Sequence, residues 1–187
     1  MPLSTIDPTP ALIVVDLQKG LLGAPTKPYP MEQVVRESAR LAKAFRACGL
    51  PVALVNVEGG APGRTEAGHS GGQRPADWSD LAEPLDVQSG DILVTKQRWN
   101  AFHETPLHSE LTRRGATQVI VTGVATSIGV ESTARAAYDL GYHVVLATDA
   151  ITDIDAAAHA NSIERIFPKL GETGSVEQIL GLLSQDR

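Results

Sequence analysis

Short aliphatic, β-branched runs alternate along the chain with longer stretches in which apolar residues return every three or four positions. The run Ala11-Leu-Ile-Val-Val-Asp16 is bounded by Pro10 and ended by a charge, the pattern of a strand covered on both faces of a parallel sheet. From Met31 to Cys48 the apolar positions Val34, Val35, Leu41, Ala42 and Phe45 recur at helical spacing, and Gly49 and Pro51 end that helix. The same reading predicts strands at Val52–Val57, Asp91–Thr95, Gln118–Thr122 and His143–Ala147. It predicts helices at Pro106–Arg114, from Gly129 to Leu140, over Asp153–Phe167 and over Val176–Leu183, the last capped by Ser175. A short extended piece is expected at Gly171–Gly174.

Strands alternating with helices specify a three-layer α/β fold with a mostly parallel sheet. Right-handed crossovers make the doubly wound arrangement the expected one. At 187 residues the chain fits one domain, 1–187, with room for a sizeable core. The segment Glu58–Asp77 breaks the alternation: it is rich in Gly and Pro and too long for an ordinary connection, which marks it as disordered or as a lid.

Composition narrows the function classes. The apolar share of 42% and charged share of 20% are ordinary for a globular protein. A net charge of −6 argues against a nucleic-acid partner, which needs clustered Lys and Arg. No apolar run approaches the roughly 18 residues that span a bilayer, and the opening MPLSTIDPTP lacks a basic start and an apolar core, so a cytoplasmic location without a membrane partner is expected. The one cysteine, Cys48, sits just before the second strand, at the amino-end rim of the sheet, and is expected to have a structural role as a small hydrophobe rather than to act as a nucleophile.

In an open α/β sheet, ligands bind outside the carboxyl ends of the strands. Asp16 ends the first strand, Lys96 follows the third, and the tight segment Gly123–Gly129 follows the fourth, so all three point to one rim. Each has a plainer explanation alone: a turn carboxylate, a solvated lysine, a close backbone approach. Together they supply a carboxylate whose proton affinity a neighbouring lysine and burial can tune, beside helix-opening amides able to hold an anion. Thr126 and Ser127 are most simply caps of that helix.

Asp16-Leu-Gln18, Lys96 followed by Ala101-Phe102 and Thr105-Pro-Leu107, and Thr122-Gly-Val-Ala-Thr-Ser-Ile-Gly-Val130 resemble, in that order and spacing, the isochorismatase-like hydrolase superfamily. The likeness runs over essentially the whole chain and implies a six-stranded parallel sheet flanked by helices. Most members are amidases with an Asp–Lys–Cys triad. Asp16 and Lys96 match its first two members, and Gly129 stands at the cysteine position. The resemblance also implies a non-proline cis peptide at Val124–Ala125, with the amides of Ala125 and Gly129 as oxyanion donors.

Glycine at 129 excludes acyl transfer through that side chain. Isochorismatases proper also carry Ile-Gly here: their Asp protonates the terminal carbon of a vinyl ether, water adds, and the hemiketal collapses to pyruvate and an alcohol. Thr126-Ser127 departs from the Ala-His of those enzymes, and Val130-Glu-Ser-Thr133 looks more like the amidases. Gln18, Arg64, Arg74, Arg98 and Thr126 are the candidate substrate-binding residues, the arginines for substrate carboxylates. The Asp-x-His pair of metal-using nicotinamidases is missing from Val57-Glu-Gly-Gly-Ala61, and His69 alone makes no site, so neither metal nor cofactor is expected. The leading expectation is a hydrolase without a cysteine nucleophile acting on a small carboxylated vinyl ether. An amide or ureido hydrolase using activated water, and a non-catalytic small-molecule binder, remain as alternatives. Relatives commonly assemble, so a homodimer or higher homo-oligomer is expected.

Overall fold

The computed structural model describes residues 2–66 and 74–185; His69 lies outside them. Six strands, β1 (Pro10–Val15), β2 (Val52–Val57), β3 (Ile92–Lys96), β4 (Gln118–Val124), β5 (His143–Thr152) and β6 (Glu172–Gly174), form one sheet in the order β3-β2-β1-β4-β5-β6. Every pairing is parallel, so the mostly parallel expectation becomes a fully parallel sheet. The order reverses direction between β1 and β4, which is where a doubly wound sheet opens a crevice at its carboxyl edge.

Alternate residues of the central strands feed two cores. Leu12, Val14, Leu54 and Ile120 face α1 (Met31–Ala47) and α6 (Val176–Gln185), meeting Val34, Leu41, Phe45 and Ile179. Ile13, Val15, Val55 and Val121 face the other way, toward α2 (Leu107–Arg113), α3 (Glu131–Asp139) and α5 (Phe167–Leu170), meeting Leu111, Ala134 and Phe167. Full burial of one such aliphatic chain is worth about 1.5–3 kcal/mol, so both faces hold β1 rigidly beneath the crevice.

Several boundaries differ from the sequence reading, each for a local reason. β5 continues to Thr152 because it bulges: Val121 pairs with Leu146, but Gly123 pairs with Ile151. The polar pair Thr148-Asp149 inside the bulge hides the strand's second half, and Asp149 is spent on the Val176 amide at 2.8 Å. The stretch from 156 to 170 is α4 (Ala156–Asn161), a wider π turn at Ser162–Ile166, and α5. Its cap is Asp155, accepting from the amides of Ala157 and Ala158, rather than the start at Asp153 read from the sequence. Ser175 does cap α6: its hydroxyl accepts from the Gln178 amide, and Gln178 reaches back to the Ser175 amide. Cys48 closes α1 at the sheet's amino end and is exposed, because the chain leaves the helix there through Gly49 in the left-handed region.

Candidate active site

Asp16 leaves β1 with φ 56°, in the left-handed region that costs an L-residue roughly 1–2 kcal/mol and that Asp tolerates better than most. Two main-chain bonds hold it there: its amide donates to Val55 O at 2.8 Å, and its carbonyl accepts from the Gln18 amide at 3.0 Å. The turn aims the carboxylate across the strand ends toward Lys96. Lys96 Nζ donates to Asp16 Oδ2 at 2.7 Å and to the Arg98 carbonyl at 3.1 Å, and Lys96 is 1% exposed. Asp16 Oδ1 is buried and has no hydrogen-bond partner among the described residues. Burial pushes the Asp16 carboxyl up from 3.8 to about 6, against the opposing pull of the Lys96 ammonium.

The neighbouring wall is the end of β4. Gly123, at φ 118°, passes so close to β1 that a Cβ would lie 2.0 Å from Val15 O. The Val124–Ala125 peptide bond is cis. The helix then begins at Thr126, earlier than the sequence reading placed it, with a π turn over Thr126–Val130 that runs into α3. Gly129 lies inside that turn, facing the acid: a Cβ there would stand 3.1 Å from Asp16 Oδ2 and 3.2 Å from Val124 O. π turns of this kind are frequent at functional sites.

A second buried carboxylate secures the turn from its far side. Asp153 Oδ2 accepts from the Ser127 amide at 2.7 Å and from the Ser127 hydroxyl at 2.8 Å, while Oδ1 accepts from the Asp155 amide at 3.1 Å. Beside it, Thr126 Oγ1 and His159 Nδ1 share a 2.9 Å hydrogen bond. Burial lowers the His159 imidazole below its ordinary 6.5, with the Asp153 carboxylate opposing. The sequence reading missed Asp153 and His159. The signal available was an acidic residue two places before the true cap, followed by a histidine on an otherwise Ala-rich helix.

The crevice holds a cavity of about 280 Å³ whose charged lining, among the described residues, is Asp16 and Lys96. Leu21, Ala24 and Met31 come from the first crossover, Val57 and Val124 from strand ends, and Trp99, Ile128 and Ile154 from the rim. A larger groove of about 1060 Å³ runs along α1, but Arg40 and Arg46, which line it, are tied to Glu37, Glu177 and Asp91, and no acid–base pair like Asp16–Lys96 lines it.

Five expected substrate-binding residues are placed elsewhere. Gln18 is fully buried as a clamp: its Nε2 donates to the carbonyls of Val57 and Trp78, and its Oε1 accepts from the Val57 amide. Thr126 is turned to His159. Arg74 donates to Glu58 O and stacks over Trp78, 3.9 Å from the ring centroid. The Arg98 guanidinium donates to the carbonyls of Gly60 and Gln97 and approaches Glu104, so only its main chain serves the site. Arg64 is exposed and does not line the cavity. Among the described residues no group of three His, Cys, Asp or Glu is placed to hold a metal ion, and no helix is long and apolar enough to cross a membrane.

A fully parallel sheet wound both ways, with a buried Asp–Lys pair at its carboxyl edge beside a helix opening, defines a doubly wound α/β protein with an acid–base site at its switch point. The family model for the isochorismatase domain matches residues 10–178, and the chain belongs to the isochorismatase family of hydrolases. It is 39% identical to YecD, an uncharacterised isochorismatase family protein of Escherichia coli O157:H7, over 94% of this chain and 96% of that one. It is 31% identical to the ureidoacrylate amidohydrolase RutB of Methylobacterium radiotolerans, over 81% and 69% of the two chains. Among solved structures, an isochorismatase family protein of Burkholderia thailandensis superposes with a TM-score of 0.93 at 39% identity, covering 96% of this chain and 98% of that one.

Proposed function

We propose that this chain hydrolyses a small substrate without a covalent intermediate, with Asp16 moving the proton and water forming the new bond. The observation that carries the reading is the half-satisfied state of Asp16: Oδ2 is held by Lys96 while Oδ1 is buried and unpartnered. A carboxyl held near pH 6 exchanges its proton close to neutrality, as a general acid or base must. Gly129 leaves no side chain to attack a substrate and keeps open the space a Cβ would fill beside Oδ2.

The reaction that fits an acid of this kind is vinyl ether cleavage. Protonated Asp16 delivers its proton to the terminal vinyl carbon and the ether oxygen supports the resulting oxocarbenium ion. Water adds at the ether-bearing carbon of that ion and returns a proton to the Asp16 carboxylate. The hemiketal then breaks its C–O bond to leave a carbonyl compound and an alcohol. Two of the three Lys96 N–H bonds are engaged by Asp16 and the Arg98 carbonyl, leaving one donor for a single substrate carboxylate.

Amide or ureido hydrolysis is a second reading, favoured by the likeness to an amidohydrolase and by Ala125 and Gly129 lining the cavity beside the pair, where their amides would serve as oxyanion donors. There Asp16 acts as a base on water. The two readings predict opposite pH profiles. Assayed against small enol ethers and small amides from pH 4 to 9, acid catalysis gives a rate falling as pH rises through about 6, whereas base catalysis gives one rising through the same value. In both, Asp16→Asn removes activity; turnover that survives it excludes both.

A further inference from the structure

The cavity has a reacting end and a mouth, and the two are chemically unlike. Trp99 and Ile154 both line it, yet they are 62% and 58% exposed, among the most exposed large apolar side chains in the described protein. Neither sits on a loose flap. The carbonyl of Arg98, next to Trp99, is held by the same Lys96 ammonium that holds Asp16. Ile154 lies between Asp153, fastened to Ser127, and Asp155, which caps α4. Two fixed apolar walls thus stand open to water, and Ile128 adds a third apolar side chain to the lining.

Charge bookkeeping points the same way. Asp16 and Lys96 neutralise each other, the side chains of Arg74 and Arg98 are committed outside the cavity, and no other charged residue lines it among those described. A second anionic group on a ligand would meet no charged partner among the described side chains, and an unpaired charge there loses its hydration without return. The volume, about 280 Å³, lies at the small end of ligand pockets.

We propose that the substrate is a small molecule with at most one carboxylate, at its reacting end, and an uncharged apolar or planar group at the other, which rests against Trp99 and Ile154. This rests on the reading that Asp16 and Lys96 receive the reacting end. It makes Trp99 and Ile154 specificity-determining residues and sets this site apart from one built for a dicarboxylate.

Calorimetric titration of the full-length chain with crotonate, fumarate and cinnamate tests the assignment without needing turnover. Crotonate and fumarate share a four-carbon skeleton and differ in the second carboxylate; cinnamate replaces the crotonate methyl with a phenyl ring. The expected order of affinity is cinnamate over crotonate over fumarate, with fumarate at least about ten-fold weaker than crotonate, as expected when a buried charge finds no partner. Trp99→Ala should erase most of the cinnamate advantage and leave crotonate unchanged, while Ile154→Arg should raise fumarate affinity above that of crotonate. Both side chains are more than half exposed, so these variants should keep the parent's melting temperature. Equal affinity for fumarate and crotonate, no binding of any probe, or a Trp99→Ala variant changed in sedimentation and not in probe affinity overturns the inference. Asp16-dependent turnover together with a failed charge order would sink only the substrate class; the expected order without any turnover would sink only the catalytic reading.

Discussion

Two buried aspartates flank the turn at residues 124–129, and they differ in how their oxygens are used. Asp153, 1% exposed, has both oxygens occupied by hydrogen-bond donors from Ser127 and Asp155. Asp16, 5% exposed, has one oxygen on Lys96 and the other on nothing the described protein provides. Nearly all buried polar groups in folded proteins are paired, so a buried orphan oxygen asks for an explanation, and a waiting substrate supplies one. The same residue type serves as a fastener on one side of the helix opening and, in the proposed mechanism, as the reactive group on the other. The difference lies in the donors each one meets.

The sharpest way to break this contrast is to remove each carboxylate in turn. Asp16→Asn, which keeps shape and loses the proton, should cost about 10²–10⁴-fold in kcat, the usual weight of one acid–base group, with the circular dichroism spectrum unchanged. Asp153→Ala should act first on stability: it strands the Ser127 and Asp155 donors and should cost about 1–3 kcal/mol in urea unfolding. Its effect on kcat should be smaller, up to about 100-fold, through displacement of the helix opening, and Asp153→Asn should recover part of both. A large kcat loss for Asp153→Ala with no loss of stability would put that residue in the chemistry and end the contrast.

Acidification sharpens it further, because the two sides titrate with opposite sign. His159, held below 6.5, is protonated sooner in the unfolded chain; its contribution is present above pH 6.5 and lost as pH falls through its folded value. Asp16, raised to about 6, binds its proton more tightly when folded; its contribution is full below 3.8 and is lost as pH rises to about 6. Melting temperatures followed from pH 8 to 4 should therefore fall less steeply in His159→Gln than in the parent, and more steeply in Asp16→Asn. The smallest effect is expected from Gly129→Ala. Its methyl group would meet Asp16 Oδ2 and Val124 O at 3.1 and 3.2 Å, so steady-state kinetics should show a few-fold rise in KM with stability nearly unchanged.

Much of this was legible in the sequence, and the rest was hidden for definable reasons. The β-branched runs announced the strands, because strands covered on both faces cannot carry polar residues. Chain order then placed Asp16, Lys96 and Gly129 on one rim, since all strands share a direction. β5 was read short because its bulge exposes Thr148 and Asp149 in mid-strand. Asp153 was read only as the start of a helix, because its partner Ser127 lies 26 residues away. The arginines were misplaced because a long side chain has no periodicity to betray its direction: Arg98 sits two residues from Lys96, yet only its carbonyl reaches the site. Cys48 was placed at the amino-end rim by chain order alone, since it directly precedes a strand of a parallel sheet.

That last residue gives Gly129 a further meaning. A thiol poised for attack is vulnerable to alkylating agents, peroxide and thiol-capturing metals, since the reactivity that makes it a nucleophile makes it a target. In this chain the one thiol, Cys48, stands exposed at the amino end of the sheet, and the rim that carries Asp16 and Lys96, at the opposite end, has none. Chemistry run by a carboxylate and water at that rim has no sulfur to lose. On the proposed mechanism, glycine at 129 gives up covalent catalysis, and in exchange it frees the site from redox state and electrophiles.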